Sequence, residues 1–312
     1  MRTYLCHKTT TSFKLDGRLD KAPWTDAAWT DDFVDIEGEG KPKPRFRTRA
    51  KMMWNDEYLF IGAELEEPHI WAYQTEHDSV IFQDNDFEVF IDPNGDNHLY
   101  GEFEMNARNT TWDLLLIKPY RDGAPAVNGW EIHGMKTAVH LDGTLNDPTD
   151  TDRGWSLEIA MPWKALGEIA GRTSPPGEGD QWRINFSRVE WHTEIKDGKY
   201  HKVPGLPEDN WVWSPQGVVD MHRPWTWGCL QFTSAPFGVG TARPLDGLAE
   251  RTALMEINEA QRIYRAQTGH WAKTLKDLGV YPEGASLYVT PSLYEATIGD
   301  YHVDSSSRLW KS

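Results

Sequence analysis

The chain has 312 residues, of which 26% are charged and 39% hydrophobic, and its formal net charge at pH 7 is −16. This length suits one large β domain or two smaller domains, and the composition is that of a globular protein. The acidic balance argues against nucleic acid as a partner, because neutralising phosphates requires clustered Lys and Arg. It also argues against docking on an anionic membrane surface.

Targeting signals and cysteines leave the compartment open. No stretch approaches the roughly 20 apolar residues of a transmembrane helix, and the opening "MRTYLCHKTTTSFKLDG" lacks the apolar run of a signal peptide. We expect a mature secreted or periplasmic domain, with a cytoplasmic protein as the alternative. Cys6 and Cys229 either pair, if the first and last strands are neighbours, or remain two free thiols.

Short alternating segments dominate the chain from Tyr4 to about Phe232. "FRTRAKMMWNDEYLFIGAELEE" predicts two strands around a tight turn, and "FEVFID", "YGEFEMNA", "GWSLEIAMPW" and "QWRINFSRVEW" continue the series. Turn signals such as "DPNGDN" and "SPPGEGD" separate them. Many short strands at this spacing favour a mainly β protein, an antiparallel, jelly-roll-like β-sandwich. One short helix is predicted at "PWKALGEIAG".

The pattern changes after about residue 238. "LDGLAERTALMEINEAQRIYRAQTGHWAKTLKDLG" has apolar residues at helical spacing and predicts a helix that ends at Gly279. "ASLYVT", "YEATIGDYHVD" and "SSRLWKS" predict short strands. We therefore divide the chain into a β-sandwich at 1–238 and a small α+β extension at 239–312. The extension either packs on the sandwich or mediates contact with a partner or a second copy.

Acid and amide residues alternate along two predicted strands in "EVFIDPNGDNHLYGEFEMNARNTTWDLLL". Glu88, Glu102, Glu104 and Asn106 share one face, while Phe103 points the other way. Such side chains supply acceptors for sugar hydroxyls, and aromatic rings pack on the C–H face of a pyranose. Because the chain also has 16 tryptophans, this face predicts a site for a sugar, a metal ion or a substrate to be cleaved.

Two kinds of sequence pattern bear on metal binding. Asp92, Asn94 and Asp96 in "DPNGDNH" place oxygens at the i, i+2, i+4 spacing of a calcium loop, and a plain Asx-rich turn is the alternative. No HxH or HExxH spacing occurs, which argues against a zinc enzyme.

Four segments in order resemble the family 9 carbohydrate-binding modules and their stand-alone relatives: "FKLDGRLDKAPWTDAAW", "MMWNDEYLFIGAELEEP", "DSVIFQDNDFEVFIDPNGD" and "NWVWSPQGVVDMHRPWTWGCLQF". The resemblance covers residues 4–233. It implies a calcium-containing β-sandwich that grips the end of a sugar chain between aromatic rings, with an oligosaccharide or polysaccharide as partner.

The framework of the family is retained in this sequence, whereas its sugar-contacting residues have largely changed. Phe82 stands where the family has one sandwiching tryptophan, with Trp71 earlier in the same loop, and Met221 stands where the second would fall, close to Trp225. The family's strand carboxylate corresponds to Glu88.

The remaining polar contacts differ more strongly. A family arginine is replaced by Glu104, which reverses the charge, and a sugar-contacting amide falls near Ser187, with Arg188 beside it. Recognition of a glucose or xylose end is therefore not assumed.

Two hypotheses follow. In the first, the protein binds a glycan; hydroxyls are bonded by Glu88, Glu104, Asn106, Ser187 and Arg188, and rings stack on Trp71, Phe82 and Trp225. In the second, it is a glycoside hydrolase or polysaccharide lyase, which needs two carboxyls across the scissile bond. The catalytic candidates are Glu88, Glu102, Glu104, Asp113, Glu190 and, as an acid or base, His222.

Overall fold

The computed structural model describes residues 1–123 and 125–312. Within these ranges the chain forms nineteen strands and three α-helices. No helix in the described part of the chain is both long and apolar enough to span a membrane. The strands up to residue 233 are β1 (Thr3–Lys8), β2 (Val34–Asp35), β3 (Thr48–Trp54), β4 (Tyr58–Glu66), β5 (Asp86–Asp92), β6 (Tyr100–Asn106), β7 (Thr111–Leu116), β8 (Ala126–Val127), β9 (Lys136–Asp142), β10 (Gly154–Pro162), β11 (Gln181–Glu190), β12 (Thr193–Lys196), β13 (Lys199–Lys202), β14 (Asp209–Val212) and β15 (Gly228–Thr233).

One sheet runs in the order β8-β7-β6-β5-β11-β15-β1-β3-β4-β10-β9, with β14 and β2 joined to it through β11. The strands pair antiparallel except around β1, which runs parallel to both β15 and β3. Val89 and Phe186 from one half of this order meet Ile61 and Ile159 from the other half in a single buried cluster. The sheet therefore folds back on itself, and the predicted mainly β sandwich is confirmed.

The predicted short helix is α1 (Trp163–Ala170), between β10 and β11. It begins after Pro162 and ends at Gly171, whose φ of 56° is left-handed and suits a residue without a Cβ. Leu166 and Ile169 are buried in the main core, so this helix closes one side of the sandwich.

The C-terminal extension has its own small core. Its elements are α2 (Leu248–Thr268), α3 (Leu275–Leu278), β16 (Ala285–Val289), β17 (Tyr294–Ile298), β18 (Tyr301–Asp304) and β19 (Leu309–Lys311). Leu254 and Ile257 on α2 pack against Ala296 and Val303 of the four-stranded sheet.

The single long helix predicted up to Gly279 is wrong in extent. Helix α2 ends at Gly269, which has a φ of 81° and donates its N–H to the Arg265 carbonyl, and α3 is a separate turn. The predicted strands of this region are confirmed. The division between residues 238 and 239 stays a prediction.

The two cysteines are free and buried. Strands β1 and β15 are neighbours, as pairing would require, but Thr3 lies opposite Cys229 and Cys6 lies opposite Phe232. The three-residue offset explains why the free-thiol alternative holds.

Candidate functional site

Adjacent strands bring an acidic cluster together on one side of the sheet. In the register of β5 and β6, Glu88 lies opposite Glu104, and Asp86 lies opposite Asn106. On the other side of β5, Ser187 of β11 lies opposite Glu88. The alternate residues Phe87, Val89 and Phe103 enter the main core, so the carboxylates occupy the face that turns away from it. We call Asp86, Glu88, Glu102 and Glu104 the acidic cluster.

The acidic cluster is tightly packed and almost enclosed. Asp86, Glu88 and Glu104 offer oxygens that all lie within 4.8 Å of one another, and Glu88 is only 5% exposed. Asp86 Oδ2 and Glu88 Oε2 are buried and have no hydrogen-bond partner among the described residues. Unpartnered buried oxygens are costly. A site with such oxygens, and with a small opening to solvent, is suited to a ligand that brings hydrogen-bond donors.

Burial makes this cluster retain protons. It raises the pKa of Glu88 to about 7. The nearby Ser187 hydroxyl opposes this rise, although it lies outside hydrogen-bond geometry. Burial, followed by the charge of Glu88, raises the pKa values of Asp86, Glu102 and Glu104 well above their usual range. Near neutral pH the cluster therefore contains both protonated and ionised carboxyls, so it can donate as well as accept hydrogen bonds.

Aromatic side chains border the acidic cluster. The Phe82 backbone N–H donates to Glu104 Oε2 at 3.0 Å, and Trp191 Nε1 donates to the Phe82 carbonyl at 2.9 Å. Trp112 of β7 lies directly opposite Glu104. These rings are half-buried; Lys202 Nζ lies 3.5 Å from the Trp191 ring, and Trp112 packs against an apolar cluster.

A histidine and two tyrosines lie at the other end of the face. Tyr100 precedes Glu102 at alternate spacing, and its hydroxyl is hydrogen-bonded to His222 Nδ1 at 3.0 Å. Burial lowers the pKa of His222 to about 4, so the ring is neutral at pH 7. The ring of Tyr120 stands 4.3 Å from that of His222 and is 47% exposed. Met221, by contrast, is buried with Trp227 in a small apolar cluster.

The extension holds the loop that carries Tyr120. Arg121 donates to Asn258 Oδ1 of α2 at 2.8 Å, and Arg262 donates to the Arg121 carbonyl at 2.8 Å. Arg223 pairs with Glu259 at 3.0 Å. Helix α2 therefore braces both loops at this end of the face.

The structure does not bring Arg188, Glu190 or Asp113 to the acidic cluster. Arg188 and Glu190 alternate with Ser187 along β11 and point to its other face, where the Arg188 guanidinium lies 2.9 Å from Glu67 and 2.8 Å from Glu190. Asp113 lies opposite the core residue Phe103. The prediction placed these polar residues at the site of Glu88. Because side chains alternate along a strand, Arg188 and Glu190 belong to the face opposite Ser187.

Three further ligand-binding candidates are held by contacts within the protein itself. Asn106 Oδ1 accepts the N–H groups of Arg108 and Thr110, both at 3.0 Å. Trp71 is 3% exposed. The ring of Trp225 lies 4.1 Å from the Arg121 guanidinium and packs against the extension's core. Asn106 and Trp225 are engaged by these contacts, whereas Trp71 Nε1 is buried without a hydrogen-bond partner among the described residues.

The predicted calcium turn is already satisfied internally. Asp92 accepts the N–H groups of Gly95 and Asn97 at 3.0 and 2.9 Å, and Asp96 accepts that of His98 at 2.9 Å. Asn94 Oδ1 likewise accepts the Asp96 N–H. The guanidinium of Arg251 donates to the Gly95 carbonyl, and that of Arg308 approaches Asp96. These contacts form an Asx-rich turn, and calcium binding by these oxygens stays a prediction.

Sequence reasoning missed several bordering residues. Asp86 continues the alternation two positions before Glu88, and Trp112 stands in a predicted strand, so the pattern contained a signal for both. Tyr120 lies in a loop whose position depends on the extension, and no local pattern indicates it.

A cleft of about 680 Å³ lies elsewhere, over β3, β4 and β10. Of its two tryptophans, Trp155 is buried and Trp29 is covered by Arg49 and Lys51, whose charged groups lie 4.0 and 4.2 Å from the ring. Arg49 is in turn paired with Glu64. Because its aromatic face and charges are already engaged, we favour the acidic cluster as the functional site.

Residues 15–176, more than half of the chain, match the family model described as "Carbohydrate family 9 binding domain-like". The chain therefore belongs to this family of carbohydrate-binding domains, as the sequence predicted. Among curated proteins it is 25% identical over 186 residues to exoglucanase XynX of Acetivibrio thermocellus. That alignment covers 57% of this chain but only 14% of the relative.

Two solved structures are similar in fold. A candidate carbohydrate-binding protein from Bacteroides uniformis has a TM-score of 0.54 at 17% identity, covering 74% of this chain and 99% of that one. A family 9 module from Caldicellulosiruptor kristjanssonii in complex with cellotriose has a TM-score of 0.49 at 15% identity, covering 78% and 100%. The first likeness supports the sandwich fold.

Proposed function

We propose that this protein binds a glycan on the face formed by β5, β6 and β11. In this proposal the hydroxyls of a sugar are bonded by the acidic cluster, and Phe82, Trp112 and Tyr120 contact its C–H faces. The observation that carries the proposal is the buried carboxylate cluster with unpartnered oxygens at Asp86 and Glu88. Membership of a carbohydrate-binding family supports the class of ligand.

The chemistry of the cluster suits hydroxyl groups. Each sugar hydroxyl donates one hydrogen bond and accepts others, and a partly protonated carboxyl cluster offers both kinds of partner. Bonds to an ionised carboxylate are about twice as strong as neutral ones. The bordering rings add apolar contact area at low conformational cost.

The acidic cluster disfavours acidic sugars. Its four carboxyls supply no counter-ion, and the whole chain carries a net charge of −16. A uronic acid or a sulfated sugar would lose its hydration in this buried site without gaining an opposite charge, which is unfavourable even where the carboxyls are protonated. We therefore expect neutral oligosaccharides as ligands.

A second candidate function is glycan cleavage, as a glycoside hydrolase or polysaccharide lyase. The observation in its favour is Glu88, because a carboxyl with a pKa of about 7 suits a general acid. With Glu190 on the other face of β11, the catalytic pair would be Glu88 and Glu104, with neutral His222 farther along. Their close packing leaves little room for a glycosidic bond, so binding is the better supported function.

The test is isothermal titration of the protein with neutral oligosaccharides, including cellotriose, with mass spectrometry of the glycans afterwards. We expect binding with unchanged glycan masses, and at least about tenfold weaker binding in Glu88→Gln and Glu104→Gln, equivalent to about 1.4 kcal/mol. Glu283→Gln, an exposed carboxylate of the extension, is the matched control. Unchanged affinity in both cluster variants would place the ligand elsewhere. Shorter glycans whose masses sum to the substrate plus one water, or a shorter unsaturated glycan, would establish the enzyme.

Calcium and location remain predictions. The acidic cluster offers only oxygen ligands, as calcium prefers, so each titration is repeated with calcium and with a chelator. Affinity that depends on calcium would support an ion at Asp86, Glu88 and Glu104. A secreted or periplasmic location, and self-association through the extension, are also still predictions.

A further inference from the structure

A second group of titratable side chains lies apart from the acidic cluster, where three segments meet. His77 and Asp78 come from the segment between β4 and β5, Asp113 from β7, and Glu131 from the segment between β8 and β9. His77 Nε2 lies 3.3 Å from Asp78 Oδ1, 3.2 Å from Glu131 Oε1 and 3.8 Å from Asp113 Oδ1. We call these four residues the histidine cluster.

The imidazole is oriented by its other nitrogen. His77 Nδ1 lies 2.9 Å from the carbonyl oxygen of Thr111, and a carbonyl oxygen can only accept. Nδ1 therefore carries a proton, and in the neutral ring Nε2 presents its lone pair to the three carboxylates. A backbone carbonyl that fixes the tautomer in this way is the usual outer contact of a metal-binding histidine.

Asp113 provides an independent observation. Its side chain belongs to a residue that is 1% exposed, and its Oδ2 accepts the Ile132 N–H, which holds Oδ1 toward His77. Oδ1 itself is buried and accepts no hydrogen bond from any described residue. Burial raises the pKa of this carboxyl to about 6. An oriented, buried oxygen without a donor is what a bound cation would satisfy.

We propose that the histidine cluster binds a divalent transition metal of the zinc class, with His77 Nε2, Asp78, Asp113 and Glu131 as ligands. Ligands at about 2.0–2.1 Å from a tetrahedral zinc lie about 3.3–3.4 Å from one another. The 3.2 and 3.3 Å separations match that edge, and the 3.8 Å separation needs only a small inward shift. The imidazole argues against calcium and magnesium, which prefer oxygen.

The metal would act as a clamp. It would tie the loop that carries His77 to strand β7 and to the segment before β9, and the same loop continues to Phe82 beside Glu104. His77 is 48% exposed, so an ion has access from solvent. The competing explanation is a protonated His77 without metal. Burial acts to lower the pKa of His77, but its bond to Glu131 and the charges of Asp78 and Glu131 raise it.

The experiment titrates chelator-treated protein with Zn²⁺ by calorimetry and counts retained metal after dialysis by elemental analysis. We expect one equivalent of zinc, a higher melting temperature, and at least about tenfold weaker binding in His77→Asn, Asp113→Asn and Glu131→Gln. Glu131 is well exposed, so its variant stays informative if the Asp113 variant fails to fold.

The matched control is His192→Asn. His192 is an exposed histidine with a single carboxylate, Asp209, 3.4 Å away. Zinc affinity unchanged in this variant, together with the visible absorption of tetrahedral Co²⁺ in the wild type, would support the site. No bound zinc, or zinc binding that survives loss of His77, would overturn the proposal and leave an imidazolium held by carboxylates.

Discussion

Both faces of strand β11 hold buried carboxylates, but only one face supplies a cation in contact with them. On one face Ser187 adjoins Glu88, which in turn lies opposite Glu104. Burial is the largest cause of the raised pKa values there, followed for Glu104 by the charge of Glu88, while Glu208 also raises the pKa of Glu88; no cation is among the causes. On the other face, one residue along, Arg188 lies between Glu67 and Glu190 and also donates to the Thr48 hydroxyl and the Glu66 carbonyl.

The presence or absence of a neighbouring cation distinguishes carboxylates that serve the fold from carboxylates that are held ready for a ligand. A carboxylate pair that serves the fold carries its own cation, because an uncompensated buried charge is expensive. The acidic cluster lacks such a cation. Burial raises the pKa values of its carboxyls, as it does that of Glu190 on the other face, and this retention of protons costs stability as the pH rises. That cost is expected where groups are held ready for a ligand. A row of acidic residues in the sequence therefore indicates a functional site only when it is also known whether a neighbouring cation neutralises them.

The largest expected effect comes from removing the compensating cation. Arg188→Met leaves Glu67 and Glu190 buried without a cation, although His69 N–H and Asn85 still donate to Glu67, so we expect the free energy of unfolding to fall by about 3–5 kcal/mol. Urea denaturation measures it, with the exposed Arg108→Met as control. A loss no greater than that of the control would mean that the two faces do not differ as argued.

A smaller effect of opposite sign is expected at Glu88. Its folded-state pKa of about 7 exceeds the ordinary value of 4.5, so the folded state binds the proton more tightly. The contribution of this group to the free energy of unfolding is then fully present below pH 4.5 and is lost as pH rises through 7, by about 3 kcal/mol. Glu88→Gln removes this slope.

The measurement compares wild type and Glu88→Gln by urea denaturation at pH 4 and pH 8. We expect similar stability at pH 4 and a more stable variant at pH 8, while glycan affinity falls. A variant less stable at pH 8 would show that Glu88 is a structural carboxylate like Glu190.

The smallest effect is expected at the turn after β5. Asp96→Asn keeps an acceptor for the His98 N–H and weakens only the contact with Arg308 at 3.4 Å. We expect the free energy of unfolding to fall by at most about 1 kcal/mol. Glycan affinity should not change, and calcium should shift the melting temperatures of wild type and variant equally. A calcium-dependent stabilisation of wild type that Asp96→Asn abolishes would restore the turn as a calcium site.

The sequence predicted much of the fold because strand and helix periodicity is local. Alternation in "FEVFID" and "YGEFEMNA" identified β5 and β6, and the glycine after "PWKALGEIA" marked the end of α1. The same local reasoning failed where two signals competed, since Gly269 ended α2 ten residues before Gly279.

The candidate site was predicted only in part. Glu88, Glu104 and Phe82 are together as expected, and Asp86 was available from the same alternation. Arg188 was expected beside Glu88 because it neighbours Ser187 in sequence, yet a side-chain period of two sends neighbouring residues to opposite faces.

By itself the sequence determined the β-sandwich, its family and the row of acids on one face, because these depend on residue spacing along single strands. Only the tertiary structure decided which acids are compensated, which rings border them, and that His77 meets Asp113 and Glu131. Those facts depend on the order of strands in the sheet and on loops from distant parts of the chain. Spacing within one segment does not encode the distance between two segments.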